Sequence, residues 1–584
     1  MNRFLVLAAL IPAAVLHVAT AAVPDIYDEL PGQYAATAWQ MVESGNWLIP
    51  AHDGLPRLQK PPLVYWITAA SLRLFGRSEF GARLPTALAL VGLMLVTRAL
   101  GARLYGQPRG AVAGGILGTS LGSVLLGKLI MPEPFLALGI AFALFAVVRS
   151  VEDPARRHWW ALAAWAAVAF ATLSKGLHGL LLPAVIVALL AAGSPASRPS
   201  LAALARSPGL VLFLALILPW PLYIESQFPG YLRDNLFNEQ LGRLLDTHFP
   251  RDSEPTPLPL FWAQHLAWWF PWVLFAPAAA MARPVGSRHP LGALAGVWLL
   301  TAAVAASLPA QRQDYHSMFA WPAFALLASR AWDGARDRRA LRLALALPLL
   351  GLAALGALGL AAYGLFGSVP HPAIGSSASF EERNSGAGAI SGIAAAEWWG
   401  LRPLLAPAAG GLFVGAAGAL ALVWRPKTLG WSWAPLAAGS LGLLAAAIVG
   451  LQAFAPLFGL KGIGVALDRE ARGAALIVYD GPSHRASSLC FYAAVRVRWL
   501  DRPETEFAVR SRGIGRDRFV TDSEVVKRWR AEESVWLITE ERRLQLWGAR
   551  LGGDPPPVIA RSGTRVLLAN RAARAGVPSR EAFR

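Results

Sequence analysis

The chain has 584 residues, of which 55% are hydrophobic and only 15% charged, a balance that excludes an ordinary soluble protein and defines a multispanning membrane protein. The formal net charge of +18 invites a nucleic-acid reading, but most basic residues of the apolar portion follow membrane orientation rather than a binding face, so no nucleic-acid partner is expected. One cysteine, Cys490, excludes an intramolecular disulfide framework and a multi-cysteine metal site; it reads as a small buried hydrophobe and leaves the redox compartment open.

The chain opens with Arg3 and an apolar run from about Phe4 to Val23, whose length suits a retained span rather than a cleaved leader. Asp25, Asp28 and Glu29 follow at once. Acidic side chains just past a membrane helix are costly to hold near lipid, which makes them candidates for chemistry, with a solvated acidic turn as the alternative. Two stretches of the same loop, from Tyr34 to Glu43 and from Pro62 to Phe75, carry apolar residues at helical spacing with few charges and are expected to lie in the membrane interface. That placement sets Asp28, Arg57 and Lys60 at headgroup depth. Trp39, Trp47, Tyr65 and Trp66 fit interfacial anchoring better than sugar stacking.

Further apolar runs near 84–103, 110–127, 134–148, 159–173, 176–193, 208–226, 261–281, 289–307, 316–329, 342–366, 402–424 and 430–457 predict about thirteen membrane helices in all, each needing roughly 20 residues or somewhat fewer. Basic residues favour the cytoplasmic side of short loops. Arg98, Arg103 and Arg109, then Arg149, Arg156 and Arg157, then Arg198 and Arg206 mark one face, as do Arg283 and Arg288, Arg330 to Arg342, and Arg425 with Lys427. An odd number of spans from a cytoplasmic start puts the 24–80 loop, the 227–260 loop and the C-terminal segment outside. From Leu460 onward the composition turns soluble, with 23 Lys and Arg against 15 Asp and Glu. Short apolar strand patterns at 474–480, 495–500, 534–539 and 564–569, with an amphipathic helix near 523–530, predict a small α/β domain. The fold class is therefore mainly α and polytopic over 1–458, with a soluble α/β domain over 459–584.

Several stretches resemble the bacterial polyprenyl-phosphate-dependent membrane glycosyltransferases, the superfamily of the lipid A aminoarabinose transferase and the protein O-mannosyltransferases. The first loop carries the resemblance through Asp28-Glu29, Tyr34, Ser44-Gly45-Asn46-Trp47, Arg57 and Lys60-Pro61, followed by Tyr65-Trp66 and Phe80-Gly-Ala-Arg-Leu-Pro85. Further along, Lys128 and Glu133 stand where the similar enzymes commonly place an Asp, Lys175-Gly176 matches a common Lys-Gly turn, and Phe237 to Leu244 looks like a Glu-His-x-x-Arg stretch with Gln240 replacing His. Leu308 to His316, with Arg312 and Tyr315, resembles an outside loop ending in Tyr and a Pro-containing span. Two departures stand out: Leu30-Pro-Gly-Gln33 lengthens the segment before Tyr34, and Gln59 replaces a Glu, which removes one ligand of any divalent metal and leaves metal unassigned.

The resemblance implies a C-type membrane glycosyltransferase of the bacterial inner membrane. It would move a sugar from a polyprenyl phosphate, undecaprenyl phosphate foremost, to a hydroxyl of lipid A, another glycolipid or glycan, or a protein at the outer face. A hydroxyl nucleophile needs a base and a phosphate leaving group needs positive charge. Asp28 is the expected base or orienting carboxylate, with Glu133 assisting. Arg57, Lys60 and Arg312 are expected on the donor phosphate, and Glu29, Tyr34, Lys128, Lys175 and Tyr315 elsewhere on substrate, interfacial anchoring being open for Arg312 and Tyr315. A transporter or lipid flippase is the competing class; it would show broken helices and repeated halves, and no internal repeat is evident. A structural protein that recruits partners would leave the loop carboxylates dispensable.

Overall fold

The computed structural model describes residues 3–249, 256–282, 289–334, 339–366, 400–425, 428–471, 473–481, 483–500, 507 and 512–575. Arg283, Arg288, Arg336, Arg338 and Lys427 of the charge pattern lie outside the described residues.

Helices dominate up to Phe458. Among the described residues six are long and apolar enough to cross a membrane: Glu79–Tyr105, Glu133–Glu152, Gly209–Gln227, Arg339–Leu365, Arg402–Val423 and Leu429–Phe458. A seventh is formed if Gln107–Thr119 and Leu121–Lys128 count as one span bent by 55°. Other expected runs are shorter, such as His178–Gly193 and Leu294–Ser307, or interrupted: the 261–281 run breaks between Trp268 and Trp272, beside Pro271. Proline lacks the backbone donor that would carry a helix through such a point.

Packing rests on large and small residues in complementary places. Trp272, Trp298, Trp321 and Trp433 are fully buried in the main apolar core. The helices Leu405–Val423 and Trp433–Phe458 meet along Gly411, Gly415 and Gly439, and a Cβ added at Gly439 would lie 2.2 Å from the Gly411 carbonyl oxygen. Small residues at that crossing let the two backbones touch, the usual way for helices to associate in lipid.

The first loop holds two helices, Leu30–Ser44 and Leu63–Phe75, joined through a two-residue-stranded hairpin, β1 (Ala51–His52) and β2 (Leu55–Pro56). Its turn is Asp53-Gly54, both at positive φ (50° and 79°), the conformation that Asp-Gly favours in tight hairpins. After Phe458 a five-stranded sheet forms from β3 (Leu476–Tyr479), β4 (Arg498–Trp499), β5 (Val535–Glu540), β6 (Val558–Ser562) and β7 (Arg565–Ala569), in the order β4-β3-β5-β7-β6. β3 pairs parallel with β4 and β5, and β7 pairs antiparallel with β5 and β6. Every residue of β3, β5 and β7 is buried, as expected for strands covered on both faces.

This sheet region is docked onto the first loop. The Asp28 carboxylate takes the Arg565 guanidinium on one oxygen at 2.7 Å and the Ser488 backbone N–H and hydroxyl on the other at 2.8 and 2.6 Å. Both Asp28 and Arg565 side chains are at most 1% exposed. Lys461 bridges Asp25 and Glu79 at 2.9 and 2.7 Å, the Tyr492 hydroxyl accepts from the Ile26 N–H, and Asp53 takes Trp499 Nε1 at 3.1 Å together with Arg518. Gly32 lies where the two parts touch: a Cβ there would sit 2.4 Å from Ser487 Oγ and 2.6 Å from the Ser488 nitrogen.

Candidate active site

A second set of buried charges gathers on the other side of the first loop. Lys60, just after the hairpin, reaches Glu239 Oε2 at 3.5 Å, and Arg243 reaches the same oxygen at 3.4 Å. His248 Nε2 meets Glu239 Oε1 at 3.1 Å. Glu239 lies on Asp234–Gly242, a stretch wound as a π-helix, a form that is rare and concentrated at functional sites. Burial alone would raise the Glu239 carboxyl, but the charge of Lys60, the hydrogen bond from His248 and the charge of Arg243 overcome it and hold the group well below the usual carboxylate range.

Glu133 begins the span Glu133–Glu152, and Lys175 ends the helix Arg157–Lys175 that packs beside it. Their side chains meet at 2.5 Å through Oε1. Glu133 Oε2 is buried and has no hydrogen-bond partner among the described residues. A carboxylate oxygen left unpaired in a buried site costs free energy that a substrate hydroxyl would recover. Gln240, the replacement for the family His, lays its amide against Gly176 in the turn after Lys175.

The two pairs belong to one cluster. The charges of Lys175, His178, Arg243 and Lys60 all bear on the His316 ring, and Tyr315 packs edge-on against that ring at 4.9 Å. On the loop side Tyr34 stacks on Tyr65 with ring centres 4.7 Å apart, and Arg57 Nε donates to the Tyr65 hydroxyl at 3.1 Å. Burial pushes the Tyr34 phenol up, with Tyr65 and Glu133 adding to the rise and Arg57 opposing it, so Tyr34 lies within the electrostatic reach of both Arg57 and Glu133.

Of the residues expected from the sequence, the fold thus gathers Arg57, Lys60, Tyr34, Glu133, Lys175 and Tyr315. Others are placed elsewhere. Asp28 has both oxygens occupied in the joint with the C-terminal sheet region, and no contact among the described residues joins it to Lys60 or Glu133. Three hydrogen bonds, from Arg565 and from the Ser488 N–H and hydroxyl, engage this carboxylate. Glu29 offers its backbone oxygen to the Ser487 hydroxyl at 3.0 Å. Lys128 turns toward the first helix, donating to the Thr20 carbonyl at 3.0 Å. Arg312 donates to the Thr256 carbonyl at 3.1 Å within its own loop neighbourhood. Sequence reasoning did not assign roles to Glu239, Arg243, His178, His248 and His316; the Glu239 to Arg243 spacing was the one available signal.

The donor set does not fit a divalent ion. Among the described residues no three His, Cys, Asp or Glu side chains converge. The nearest approach to such a set, Glu239 with His248, is shared with Lys60 and Arg243, whose charges would repel a cation.

Comparison with known proteins agrees with this architecture. Residues 59–223 match the dolichyl-phosphate-mannose-protein mannosyltransferase family. The chain thus resembles the polyprenyl-phosphate-dependent glycosyltransferases of the C-type fold in a segment that holds Lys60, Glu133 and Lys175. Among individual proteins, the undecaprenyl phosphate-alpha-4-amino-4-deoxy-L-arabinose arabinosyl transferase of Pseudomonas savastanoi pv. phaseolicola is 29% identical over 245 residues, 41% of this chain and 42% of that protein. The enzyme of the same name from Shewanella sediminis is 27% identical over 279 residues, 47% of this chain and 49% of that protein. The chain spans about half the length or less of these two curated relatives. The crystal structure of ArnT from Cupriavidus metallidurans bound to undecaprenyl phosphate superposes with a TM-score of 0.80 at 20% identity, covering 98% of this chain and 99% of that one. The apo form gives 0.78 at 21% identity over the same shares. The fold is therefore that of a multi-pass membrane glycosyltransferase.

Proposed function

We propose that the protein transfers a sugar from a polyprenyl phosphate, such as undecaprenyl phosphate, to an acceptor hydroxyl of a glycolipid, glycan or protein at the outer face of the bacterial inner membrane. The observation that carries this reading is the buried cluster in which Lys60, Lys175 and Arg243 surround Glu133 and Glu239 beside an interfacial loop. Fixed cations in a dry site stabilise the charge that develops on a departing phosphate far better than they would in water. Lys60, whose side chain is 24% exposed while its partner Glu239 is buried, is the cation a lipid phosphate meets first, with Arg243 on the same Glu239 oxygen. Glu133, held through Oε1 by Lys175, keeps Oε2 for a substrate hydroxyl. Asp28 is a joint residue in this reading, and Arg312 and Lys128 are supports for neighbouring backbone.

The charge alternation supports about thirteen spans with the first loop and residues 459–584 on the outer face. The Asp28–Arg565 joint supports the same arrangement, because it requires the two parts to share a side. Lys60→Met and Glu133→Gln, purified in detergent, test the site. The expected result is folded protein with donor binding strongly weakened in Lys60→Met, and turnover lowered about 10²-fold or more in Glu133→Gln with donor binding kept. Parental turnover in both variants would remove the cluster from the reaction.

A further inference from the structure

The segment after the span Gly209–Gln227 turns the usual placement of side chains inside out. Leu232, Leu236, Phe237, Leu241 and Leu245 are between 39% and 66% exposed, while Glu239 in their midst is 5% exposed. A buried carboxylate among exposed large apolar side chains is an exception to ordinary burial, and a contiguous exposed apolar face marks an interaction surface.

The winding of the chain makes this face continuous. Residues Asp234–Gly242 form a π-helix, flanked by short α turns at Tyr231–Arg233 and Arg243–Leu245. The i→i+5 hydrogen bonds of a π-helix bring residues about four to five apart nearly into line. In that register Leu232, Leu236 with Phe237, Leu241 and Leu245 follow one another along one side. Asp234, Asn238 with Glu239, and Arg243 follow one another along the opposite side. An α-helix of about 3.6 residues per turn would divide the same sequence differently, setting Leu232, Leu236, Glu239 and Arg243 on one face and parting Leu236 from Leu241. The π register thus separates the charges that meet Lys60 from the apolar row that faces out.

The neighbours of the segment decide what covers the row. Glu225, in the last turn of the span, accepts from the Gly230 N–H at 2.8 Å and from the Leu232 N–H at 2.7 Å. The row therefore starts level with the end of a membrane helix, whose own Leu218 and Leu222 are exposed in the same way. Farther on, Asn238 exchanges two hydrogen bonds with the Phe249 backbone, at 2.7 and 2.8 Å, which folds the chain back toward the segment. The helix Leu258–Trp268 follows, with Leu258, Leu260 and Leu266 exposed. A row pinned at the end of one apolar helix and followed by another meets lipid before it meets a soluble partner.

We propose that residues 231–245 are a membrane-docking element whose apolar row lies at the boundary between headgroups and acyl chains, about 5–10 Å deep. Arg233, exposed beside Leu232, is placed to meet an anionic headgroup. Docking fixes the rotation of the segment and so holds Glu239 and Arg243 inward against Lys60; the lipid surface helps to assemble the charge cluster. The inference rests on the membrane class of the fold and goes beyond the transfer reaction.

The test uses the full-length chain carrying Cys490→Ala, with a nitroxide on Asn235→Cys, Leu236→Cys, Phe237→Cys or Leu241→Cys, in nanodiscs of phosphatidylethanolamine and phosphatidylglycerol. Spin-label accessibility is compared between oxygen, which enters lipid, and a nickel chelate, which stays in water. The expected result is labels at 236, 237 and 241 about 5–10 Å below the headgroups and a label at 235 open to nickel, with or without added undecaprenyl phosphate. Labels at 236, 237 and 241 as open to nickel as the one at 235 would overturn the docking. Depth at only one of 236 and 241 would overturn the π register behind it. Protection that appears only with undecaprenyl phosphate would give the row to the donor's chain and overturn the assignment to the bilayer. A parent that transfers no sugar would remove the transferase reading and leave the depth result intact.

Discussion

Removing the Arg565 guanidinium should loosen the first loop from the C-terminal sheet region and cost stability before it costs chemistry. Arg565 donates to Asp28 at 2.7 Å and to the Arg485 carbonyl at 2.8 Å, and neither side chain of the pair is more than 1% exposed. In Arg565→Met the Asp28 carboxylate keeps its two bonds from Ser488 but stays buried with no countercharge. Breaking a buried pair on one side costs about 3–5 kcal/mol, because the remaining charge is neither solvated nor paired. Asp28→Asn should cost a similar amount, since it leaves the guanidinium uncompensated; Asp28 holds that guanidinium above its usual range against the effect of burial. The double variant Asp28→Asn/Arg565→Met should recover about half or more of the summed loss, as replacing both charges of a buried pair is often close to neutral. Denaturant unfolding in detergent, with limited proteolysis of the C-terminal region as a second readout, supplies the four corners of the cycle. Strictly additive losses, or single losses below about 1 kcal/mol, would refute a joint held by this pair. Folded Asp28→Asn should still transfer sugar, whereas a base at this position would lose about 10²-fold in rate.

Other expectations follow from the same contacts. Asp53, buried against Trp499 and Arg518, has its carboxyl pushed up to about 6 by burial, with Arg518 opposing. A raised carboxyl binds its proton more readily in the folded protein, so its contribution is favourable near pH 4 and is lost as pH rises through about 6; relative to Asp53→Asn, the parent should lose about 2 kcal/mol between pH 4 and 7, and parallel stability curves would exclude this. Gly32→Ala should weaken the same joint by about 1–3 kcal/mol, because the new Cβ meets the Ser488 backbone, and a variant as protease-resistant as the parent would show that the contact yields freely. A reporter active only outside the cytoplasm, fused after Arg584, should be active, and activity from a cytoplasm-only reporter would reverse the orientation.

The membrane class and the two loop helices were legible in the sequence, and Glu133 and Lys175 were marked as candidates by short motifs, though their meeting was not. Asp28 shows what local reading leaves out. Its acidity and position past a membrane helix suggested chemistry, but its partner Arg565 is 537 residues away and nothing local marks the pairing. The number of spans was hard to read for a related reason. Hydropathy measures apolar content, while continuity depends on backbone hydrogen bonds, so a run such as 110–127 looked like one span although its helices bend by 55° at Ser120.

The central claim is that a glycosidic bond is made at this site at the expense of a sugar–phosphate bond. Mass spectrometry of purified protein, incubated with a polyprenyl-phosphate sugar and envelope acceptors, reads both sides of that exchange in one sample. The account predicts glycosylated acceptor and free polyprenyl phosphate appearing in equal amounts, with both lost in Lys60→Met. Donor that crosses a vesicle bilayer unchanged, with neither product formed over a broad donor and acceptor panel, would contradict it and leave transport as the reading.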